Sequence, residues 1–387
     1  MASVVISPDN VANFPDGGGH FWVYMQYAQG LIRSGCDVYW LERFHRGADP
    51  DRDARTLATF FQRMARFGLD GKVVLYSLDD RADSTEASFE YIGMTRSQAE
   101  AVLRRADLLL NFHYAIDPRL LACPRRTALV DIDPGLLQLW MSTGQLRVSP
   151  HDRYFTTGET VGTAVARFPD CGLDWIRIRP PVCLDLWPYV YDPRCEAFTT
   201  VAGWWAGLWI KQIEDGKEVL HENTKRVSFR EFVALPRLTR QVLELALYLA
   251  DGDGADRELF ESQGWRVRHS RDVAGTPELY RAYIQASRGE FSCAKPSCMK
   301  FQNAWVSDRT LCYLASGKPA VVQHTGPSAY LPNGDGLFRF TTLEEAAAAL
   351  DDVCSDYERQ CRAAREIAAA YFDATQVVAK IMSEALP

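Results

Sequence analysis

The sequence lacks a long apolar run, and this absence argues against a membrane-spanning helix. No stretch reaches the roughly 18 consecutive apolar residues that such a helix needs. Residues 1–7 are mostly apolar, but no basic segment accompanies them as it would in a signal peptide. We therefore expect a cytoplasmic protein with no membrane span, whose first residues form a buried strand.

An excess of basic residues is also missing. Lysine and arginine number 43 against 50 aspartate and glutamate residues, which gives a net charge of −7. An acidic surface lacks the basic footprint through which proteins hold nucleic acid. We therefore expect no nucleic acid among the partners, and the sequence leaves open whether two copies form a homodimer.

The ten cysteines lack the paired spacing that is typical of zinc and redox sites. None forms a C-x-x-C pair, and Cys293 and Cys298, which lie close in the chain, have no histidine near them. Scattered cysteines in a chain of this length are typical of small buried hydrophobes in a reducing compartment. We expect no metal site and no cofactor.

A regular alternation of strand and helix patterns is what the sequence does contain. Residues 2–7 form an apolar strand pattern, and three glycines follow at 17–19. Apolar side chains then recur every three to four residues through 21–34, as in a helix. A second strand pattern covers 36–41. Strand, helix and strand in this order predict the β-α-β unit of a parallel sheet.

The same alternation continues along the rest of the chain. Further strands are predicted at residues 73–76, 108–112, 126–131, 153–156, 198–202, 265–269, 290–294 and 320–323. Further helices are predicted at residues 57–67, 96–105, 238–249, 276–287, 308–315, 343–353, 355–370 and 375–385.

A proline-rich break divides this pattern into two halves. Prolines cluster between residues 180 and 188, and a chain of 387 residues suits two domains. We predict a first domain at 1–180, a linker at 181–197 and a second domain at 198–370. A last helix within 371–387 is expected to pack back on the first domain.

Residues 289–340 contain the motif SDRTLCYLASGKPAVVQHTG at 307–326. This stretch resembles the donor-binding half of GT-B glycosyltransferases, in particular bacterial glycosyltransferase family 1 and the spore-protein-like glycosyltransferase group. TTVAGWW at 199–205 resembles the first strand of their second domain, and GGGHFWVYMQYAQGLIRSGCDVYWL at 17–41 resembles their first unit. The resemblance covers nearly the whole chain. It implies an α/β GT-B fold, in which two Rossmann-like, doubly wound domains face a central cleft.

The resemblance also implies an activity. We expect glycosyl transfer from a nucleoside-diphosphate sugar, such as a UDP sugar, held by the second domain, to a hydroxyl or amine of a small-molecule acceptor held by the first. Tailoring of a natural product is the expected use. An Asp-x-Asp motif occurs at 131–133, away from the expected donor site. We therefore expect metal-independent transfer, with 131–133 lining the cleft.

The beginning of one predicted helix is the expected site of the donor phosphates. Ser307 precedes this helix, whose free N–H groups can bind an anion, although the same serine is also a good helix cap. The resemblance implies that Asp308 contacts the ribose and that Lys295 and Arg309 neutralise the diphosphate. The glutamate that related retaining enzymes carry one turn later is Cys312 here, which leaves the ribose contact and the stereochemistry open.

Further donor contacts are expected from both halves of the chain. Gly18 and Gly19 belong to the first glycine loop, and Glu290 is a candidate partner for a sugar hydroxyl. Thr325 and Gly326 follow a predicted strand, where a small residue lets the backbone approach a phosphate.

Residues 203–211 (GWWAGLWIK) take the place of the family's loop that carries an arginine and a lysine. Lys211 matches the lysine, whereas Trp204 and Trp205 stand at the arginine position. These two tryptophans either line the cleft or belong to the core.

His20 is the predicted general base for the acceptor. It follows the three glycines at the mouth of the first strand, where inverting relatives place a histidine, and an unperturbed histidine exchanges a proton near neutral pH. The alternative is that His20 only caps the helix. Weaker candidates for contacts to His20, the acceptor or the donor are Asp133, His113, Glu159 and His324.

Three other functions stay open. A nucleotide-sugar epimerase or a non-catalytic sugar-nucleotide-binding protein would use the same donor site. A dinucleotide oxidoreductase is disfavoured because residues 17–19 lack the G-x-G-x-x-G spacing and Glu42 is the only acidic residue suitably placed for a ribose.

Overall fold

The structure, a computed structural model, describes residues 1–79, 88–205, 209–215, 217–250 and 252–386. The strands are β1 (Ser3–Ser7), β2 (Asp37–Arg43), β3 (Val73–Asp79), β4 (Ser88–Ile92), β5 (Leu108–Asn111), β6 (Thr127–Asp131), β7 (Arg153–Thr156), β8 (Trp175–Arg177), β9 (Ala197–Gly203), β10 (Trp209–Glu214), β11 (Lys217–Glu222), β12 (Val242–Tyr248), β13 (Arg266–His269), β14 (Gly289–Ser292), β15 (Ala320–Gln323) and β16 (Leu337–Phe340). The helices are α1 (Gly18–Arg33), α2 (Pro50–Arg66), α3 (Arg96–Arg105), α4 (Pro118–Leu121), α5 (Leu136–Ser142), α6 (Lys225–Glu231), α7 (Gly254–Ser262), α8 (Ser270–Ala274), α9 (Pro277–Gln285), α10 (Pro296–Phe301), α11 (Asp308–Ala315), α12 (Leu343–Ser355), α13 (Tyr357–Tyr371) and α14 (Ala374–Ala385).

The first sheet has the strand order β4-β3-β2-β1-β5-β6-β7-β8, and its neighbouring strands are parallel except for β3 and β4. The chain adds β1 to β4 toward one edge and then returns to add β5 to β8 toward the other. This reversal lies between β1 and β5. The loops that leave these two strands run in opposite directions and open a crevice at their carboxyl ends.

The second sheet repeats this arrangement. Its order is β13-β12-β9-β14-β15-β16, and all its neighbouring pairs are parallel. The reversal here lies between β9 and β14, which opens a second crevice. The predicted α/β architecture of two Rossmann-like, doubly wound units is therefore confirmed.

The chain passes between the two units twice, and the two crossings lie side by side. The N–H of Val182 donates to the carbonyl of Phe372 at 2.7 Å, and the N–H of Ala374 donates to the carbonyl of Val182 at 3.0 Å. After the second crossing, α14 packs against α1. The contact is close at Gly30, where an added Cβ would lie 3.0 Å from a methyl of Val378. The domain bounds given above stay predictions.

One apolar core joins the two units behind the cleft. It contains buried side chains of α1 and β1 from the first unit and of α9, α11 and α13 from the second, together with α14. Trp187, in the segment between the units, is fully buried and packs edge-on against Trp22 and Tyr280. The shared core fixes how the two crevices face each other.

One predicted element is wrong. The apolar spacing predicts a helix over residues 238–249, but residues 242–248 form β12, in the interior of the second sheet between β9 and β13. Leu245 and Ala246 point to opposite faces of the sheet and both are fully buried. A strand covered on both faces is an almost continuous apolar run, which in a short window resembles the stripe of a helix.

The described helices are short. The longest, α2, has 17 residues, and within the described part of the chain none is both long and apolar enough to cross a membrane.

Candidate functional site

The two crevices face each other across a cavity of about 690 Å³. One wall comes from the end of β1, the start of α1 and the turn after β6, and the other from the ends of β9 and β14 and the start of α11. Seven residues predicted for the site line this cavity together, namely Gly18, Gly19, His20, Lys295, Ser307, Asp308 and Arg309.

His20 lies in the first turn of α1 and is half-buried. Its Nε2 lies 2.7 Å from the carbonyl oxygen of Asp9. Because a carbonyl only accepts, Nε2 carries the proton, and the lone pair is left on Nδ1. Burial lowers the pKa of His20 from its ordinary value, against the opposing effects of Asp9 and Asp308. At neutral pH the imidazole is therefore uncharged, the form that can take a proton.

The glycines beside His20 are required by contact between the two units. A Cβ on Gly18 would lie 2.3 Å from the carbonyl oxygen of Thr276 and 2.4 Å from that of Ala274. A Cβ on Gly19 would lie 2.7 Å from the ring of Tyr280. The lack of side chains here lets the start of α1 approach α8 and α9 across the cleft.

The start of α11 forms the opposite wall. Ser307 caps this helix, since its Oγ accepts from the N–H of Arg309 at 3.3 Å. Asp308, the first helical residue, lines the cavity. Burial raises the pKa of its carboxyl from the ordinary value, while Arg309 and Lys225 act in the opposite direction.

The guanidinium of Arg309 donates all its described hydrogen bonds to other groups of the protein. Its Nε donates to Glu290 at 2.7 Å, and its Nη1 donates to the carbonyl of Val201 at 3.0 Å. Its Nη2 donates to the hydroxyl of Ser292. Arg309 therefore ties α11 to β9 and β14. The predicted sugar contact of Glu290 is corrected, because this carboxylate is fully buried beneath the cavity and bound to Arg309.

Lys225 is a site residue that the sequence did not indicate. It is 9% exposed and lines the cavity. Among the described residues, none forms a hydrogen bond or ion pair with its ammonium. Burial lowers the pKa of Lys225 to about 7, with Arg309 and Lys295 acting in the same direction. A buried cation without a partner marks a place for a bound anion.

Lys295 bridges the two units. Its Nζ lies 3.4 Å from Oδ1 of Asp133, on the opposite wall. Burial is the largest single influence and lowers the pKa of Lys295, but the charge and hydrogen bond of Asp133, together with Cys298 and Asp308, outweigh it, and the pKa is raised. Lys295 is therefore charged and makes an ion pair between the two walls of the cleft.

Lys211, by contrast, lies outside the cavity lining. It belongs to the β10–β11 hairpin, where its ammonium pairs with Glu218 at 2.5 Å. This hairpin interrupts the loop that follows β9, so that the lysine facing the cleft comes 14 residues later, as Lys225. Residues 206–208 of the same loop lie outside the described residues.

The two tryptophans of the 203–211 segment have different environments. Trp204 is fully buried, donates to Asp256 at 2.8 Å and packs on Phe260, so that it belongs to the core. Trp205 is 51% exposed and lines the cavity. The guanidinium of Arg226 lies over its ring at 4.6 Å.

The predicted phosphate contacts of Thr325 and Gly326 are also corrected. The hydroxyl of Thr325 donates to the carbonyl of Trp305 at 2.7 Å. Gly326 has a φ of +134°, and a Cβ there would lie 2.5 Å from the carbonyl oxygen of Gln302. Both residues therefore shape the loop before α11 and do not line the cavity. Cys312 is buried too, with its sulfur near the carbonyl of Asp308.

Two acidic residues considered for the site are internal. Asp131 is fully buried and accepts from Gln138 and Thr156, each at 2.8 Å, and burial raises its pKa to about 7. Of the 131–133 turn, only Ile132 and Asp133 line the cavity. Glu42 accepts from Trp40 at 2.8 Å inside the core, which removes it as a partner for a dinucleotide ribose.

The weaker candidates are dispersed. Glu159 pairs with Arg179 at 3.3 Å and accepts from Ser328 at 2.7 Å, outside the main cavity. His324 also lies outside it, and its Nδ1 accepts from the N–H of Gly326. His113 lines a second cavity of about 490 Å³, which adjoins the first.

Within the described residues, no group of three or more histidine, cysteine, aspartate or glutamate side chains is arranged to hold a metal ion. That transfer proceeds without a metal stays a prediction.

Comparisons with known proteins define the fold. No protein-family model matches the chain, and no curated protein matches it by sequence. An α-glucosyltransferase in complex with UDP and a 13-mer DNA matches over 99% of both chains, with 10% identity and a TM-score of 0.61. Sucrose-phosphate synthase from Thermosynechococcus elongatus matches over 99% of this chain and 98% of its own, with 13% identity and a TM-score of 0.58. HepE of Anabaena, in complex with UDP and glucose, matches over 99% and 100%, with 13% identity and a TM-score of 0.57. The chain therefore has the GT-B fold.

The exclusion of nucleic acid drawn from composition is wrong. α-Glucosyltransferases of the same fold occur in complex with UDP and 13-mer DNAs. A net charge summed over a chain does not describe the potential at one cleft. Here the cleft lining carries the cations Lys225, Lys295 and Arg309 beside four aspartates, a local arrangement that the whole-chain charge of −7 does not describe.

Proposed function

We propose that this protein transfers a glycosyl group from a nucleoside-diphosphate sugar to an acceptor bound on the opposite wall of the cleft. The observation that carries the proposal is Lys225. A lysine that is only 9% exposed, whose ammonium has no partner among the described residues and lines a cavity between two Rossmann-like units, is stabilised by an anion bound there. A diphosphate supplies such an anion.

The neighbourhood of Lys225 fits a diphosphate. Lys295 supplies a second cation in the same cavity, and the free N–H groups at the start of α11 face it. Asp308 stands at this helix start, where a ribose diol can donate to its carboxylate. Trp205 offers a flat, half-exposed surface at the cavity wall for a base.

Uracil is our proposed base and the second unit our proposed donor domain. Two of the matching proteins, the α-glucosyltransferase and HepE, occur in complex with UDP, and HepE also with UDP-glucose. This supports UDP for a chain of the same fold, while the residues named above are this chain's own.

We propose His20 as the general base. The acceptor oxygen bonds to the anomeric carbon of the sugar, its proton passes to Nδ1 of His20, and the bond from that carbon to the diphosphate breaks with its electron pair on the leaving oxygen. Lys225 and Lys295 stabilise the charge that develops on this oxygen. The Asp9 carbonyl holds the imidazole in the required tautomer.

We place the acceptor in the second cavity, on the wall formed by the first unit. Its volume of about 490 Å³ suits a small molecule, and a natural product to be tailored is one such acceptor. It adjoins the main cavity at Asp9, Tyr24 and Asp133. An acceptor bound there lies beside the donor sugar.

A thermal-shift panel of UDP, GDP, ADP and dTDP tests the proposal. We expect UDP to raise the melting temperature most, because a ligand that binds only the folded state stabilises it. No shift with any nucleoside diphosphate would contradict the proposal. Conversion of a UDP sugar to an epimer without an acceptor would replace transfer with the epimerase function.

A further inference from the structure

The second cavity differs in charge from the main cavity that it adjoins. Two carboxylates, those of Asp9 and Asp133, face both cavities, and Asp133 pairs with Lys295 of the main cavity at 3.4 Å, but none of the second cavity's own described lining residues is a lysine or arginine. His113 is the other titratable side chain on its wall besides two tyrosines. Its Nε2 lies 3.7 Å from Asp9, and burial lowers the pKa of the imidazole, so that His113 is neutral at pH 7.

Aromatic side chains make up half of the other described lining residues. Tyr24, Phe112, Tyr114 and Trp140 all line the cavity. The faces of such rings carry partial negative charge and attract cations, most strongly where water is excluded. Carboxylates and aromatic faces in one small cavity therefore both favour a positively charged ligand.

Tyr24 provides an independent sign that a ligand binds here. Its side chain is only 4% exposed and lines both cavities where they meet. Among the residues that the structure describes, none forms a hydrogen bond with its hydroxyl. An unpartnered hydroxyl on an otherwise buried side chain, where the two cavities meet, can bond to a molecule that spans them. Burial, followed by the charges of Asp9 and Asp133, raises the pKa of Tyr24 well above its ordinary value.

We infer that the acceptor is a cation, namely a small molecule that carries an ammonium group as well as the hydroxyl that receives the sugar. This inference rests on the proposed transferase function and adds its substrate class. The ammonium lies between Asp9, Asp133 and the aromatic wall, and the reacting hydroxyl lies at Tyr24, toward the main cavity. A neutral or anionic molecule of similar size cannot make the charge contacts with Asp9 and Asp133 or the cation–π contacts with the aromatic wall.

Three probes of similar size and different charge test the inference. Tyramine, tyrosol and 4-hydroxyphenylacetate share a phenol ring and carry a positive, a neutral and a negative group. Their binding is measured by calorimetry on the full chain with saturating UDP present. We expect tyramine to bind about tenfold more tightly than tyrosol, from the cation–π and charge contacts, and 4-hydroxyphenylacetate to bind most weakly.

Variants of single carboxylates test which residues cause the preference for a positively charged ligand. Asp9→Asn and Asp133→Asn are each expected to remove most of the advantage of tyramine. Asp51→Asn removes one exposed carboxylate on α2, outside both cavities, and is expected to keep that advantage.

Two outcomes would overturn the inference. One is that tyramine binds no better than tyrosol or does not bind. The other is that its advantage survives in both cavity variants. UDP binding, titrated separately in each variant, distinguishes the two levels. Retained UDP binding without a charge preference contradicts only the cationic acceptor, whereas absent UDP binding in the unaltered protein contradicts the proposed function as well.

Discussion

At the scale of single residues, His20 carries the proposed proton transfer. Burial lowers its pKa below the ordinary 6.5. Because the neutral imidazole is the base, the rate of acceptor-dependent UDP release should rise with pH through that lowered pKa and then level off. His20→Gln should lower kcat by about a hundredfold or more and abolish this acid limb.

His324→Gln is the matched control for this pH profile. The pKa of His324 is also lowered by burial, but the residue lies outside both cavities. Its replacement should leave the acid limb in place. An unchanged limb in His20→Gln would contradict the assignment of the base.

Residue roles could be predicted from the sequence only where they follow from local position. His20 after the glycines and Ser307 before α11 are set by a loop and a helix start, and both line the cavity. The partners of Arg309 and Glu290 are set by the packing of α11 against β14, which no local pattern contains. Glu290 is therefore internal to the fold, and Arg309 is held by internal partners while it also lines the cavity.

At the scale of elements, the start of α1 controls how closely the units approach. Alanine is normally more favourable than glycine within a helix. Any loss of stability in Gly18→Ala is therefore caused by the contact of the added methyl with Thr276 and Ala274. The added methyl must displace two backbone carbonyls, which costs about 1–3 kcal/mol by overpacking. We expect a lower melting temperature, weaker UDP binding and a larger radius of gyration in solution scattering.

Gly254→Ala is the control, since a Cβ there meets no atom within 4 Å. It should match the unaltered protein in all three measurements. If Gly18→Ala also matches, then the start of α1 does not set the closure of the cleft.

Elements were predictable where their pattern is unambiguous. Helix α11 and strands β7 and β15 have the bounds that the sequence predicts, whereas β12 carries an apolar run that fits either a helix or a doubly covered strand. The β10–β11 hairpin has no signal of its own in the predicted alternation. The hairpin lengthens the loop after β9. The sequence therefore predicts Lys211 at the position of the family's lysine, whereas the lysine that faces the cleft is Lys225.

At the scale of the whole molecule, α14 fastens the second unit to the first. Val378 on α14 is fully buried against α1. Val378→Asp should cost about 3–5 kcal/mol, as an unpaired buried charge does, and lower the urea midpoint strongly. Ser383→Asp, at an exposed position of the same helix, should change it little. Equal midpoints in the two variants would show that α14 does not support the first unit.

Lys225 connects the fold to the proposed function and gives the most direct test. Lys225→Met should weaken UDP binding by about ten- to a hundredfold, the value of a charge-assisted contact. The same change should raise the melting temperature without ligand, because a lysine whose pKa is lowered to about 7 by burial destabilises the folded state near neutral pH.

Calorimetric titration of UDP into the unaltered protein, Lys225→Met and the control Lys211→Met is therefore the decisive measurement. The account predicts unchanged binding in Lys211→Met and the stated loss in Lys225→Met. Equal UDP affinity in all three proteins, or loss only in Lys211→Met, would contradict it.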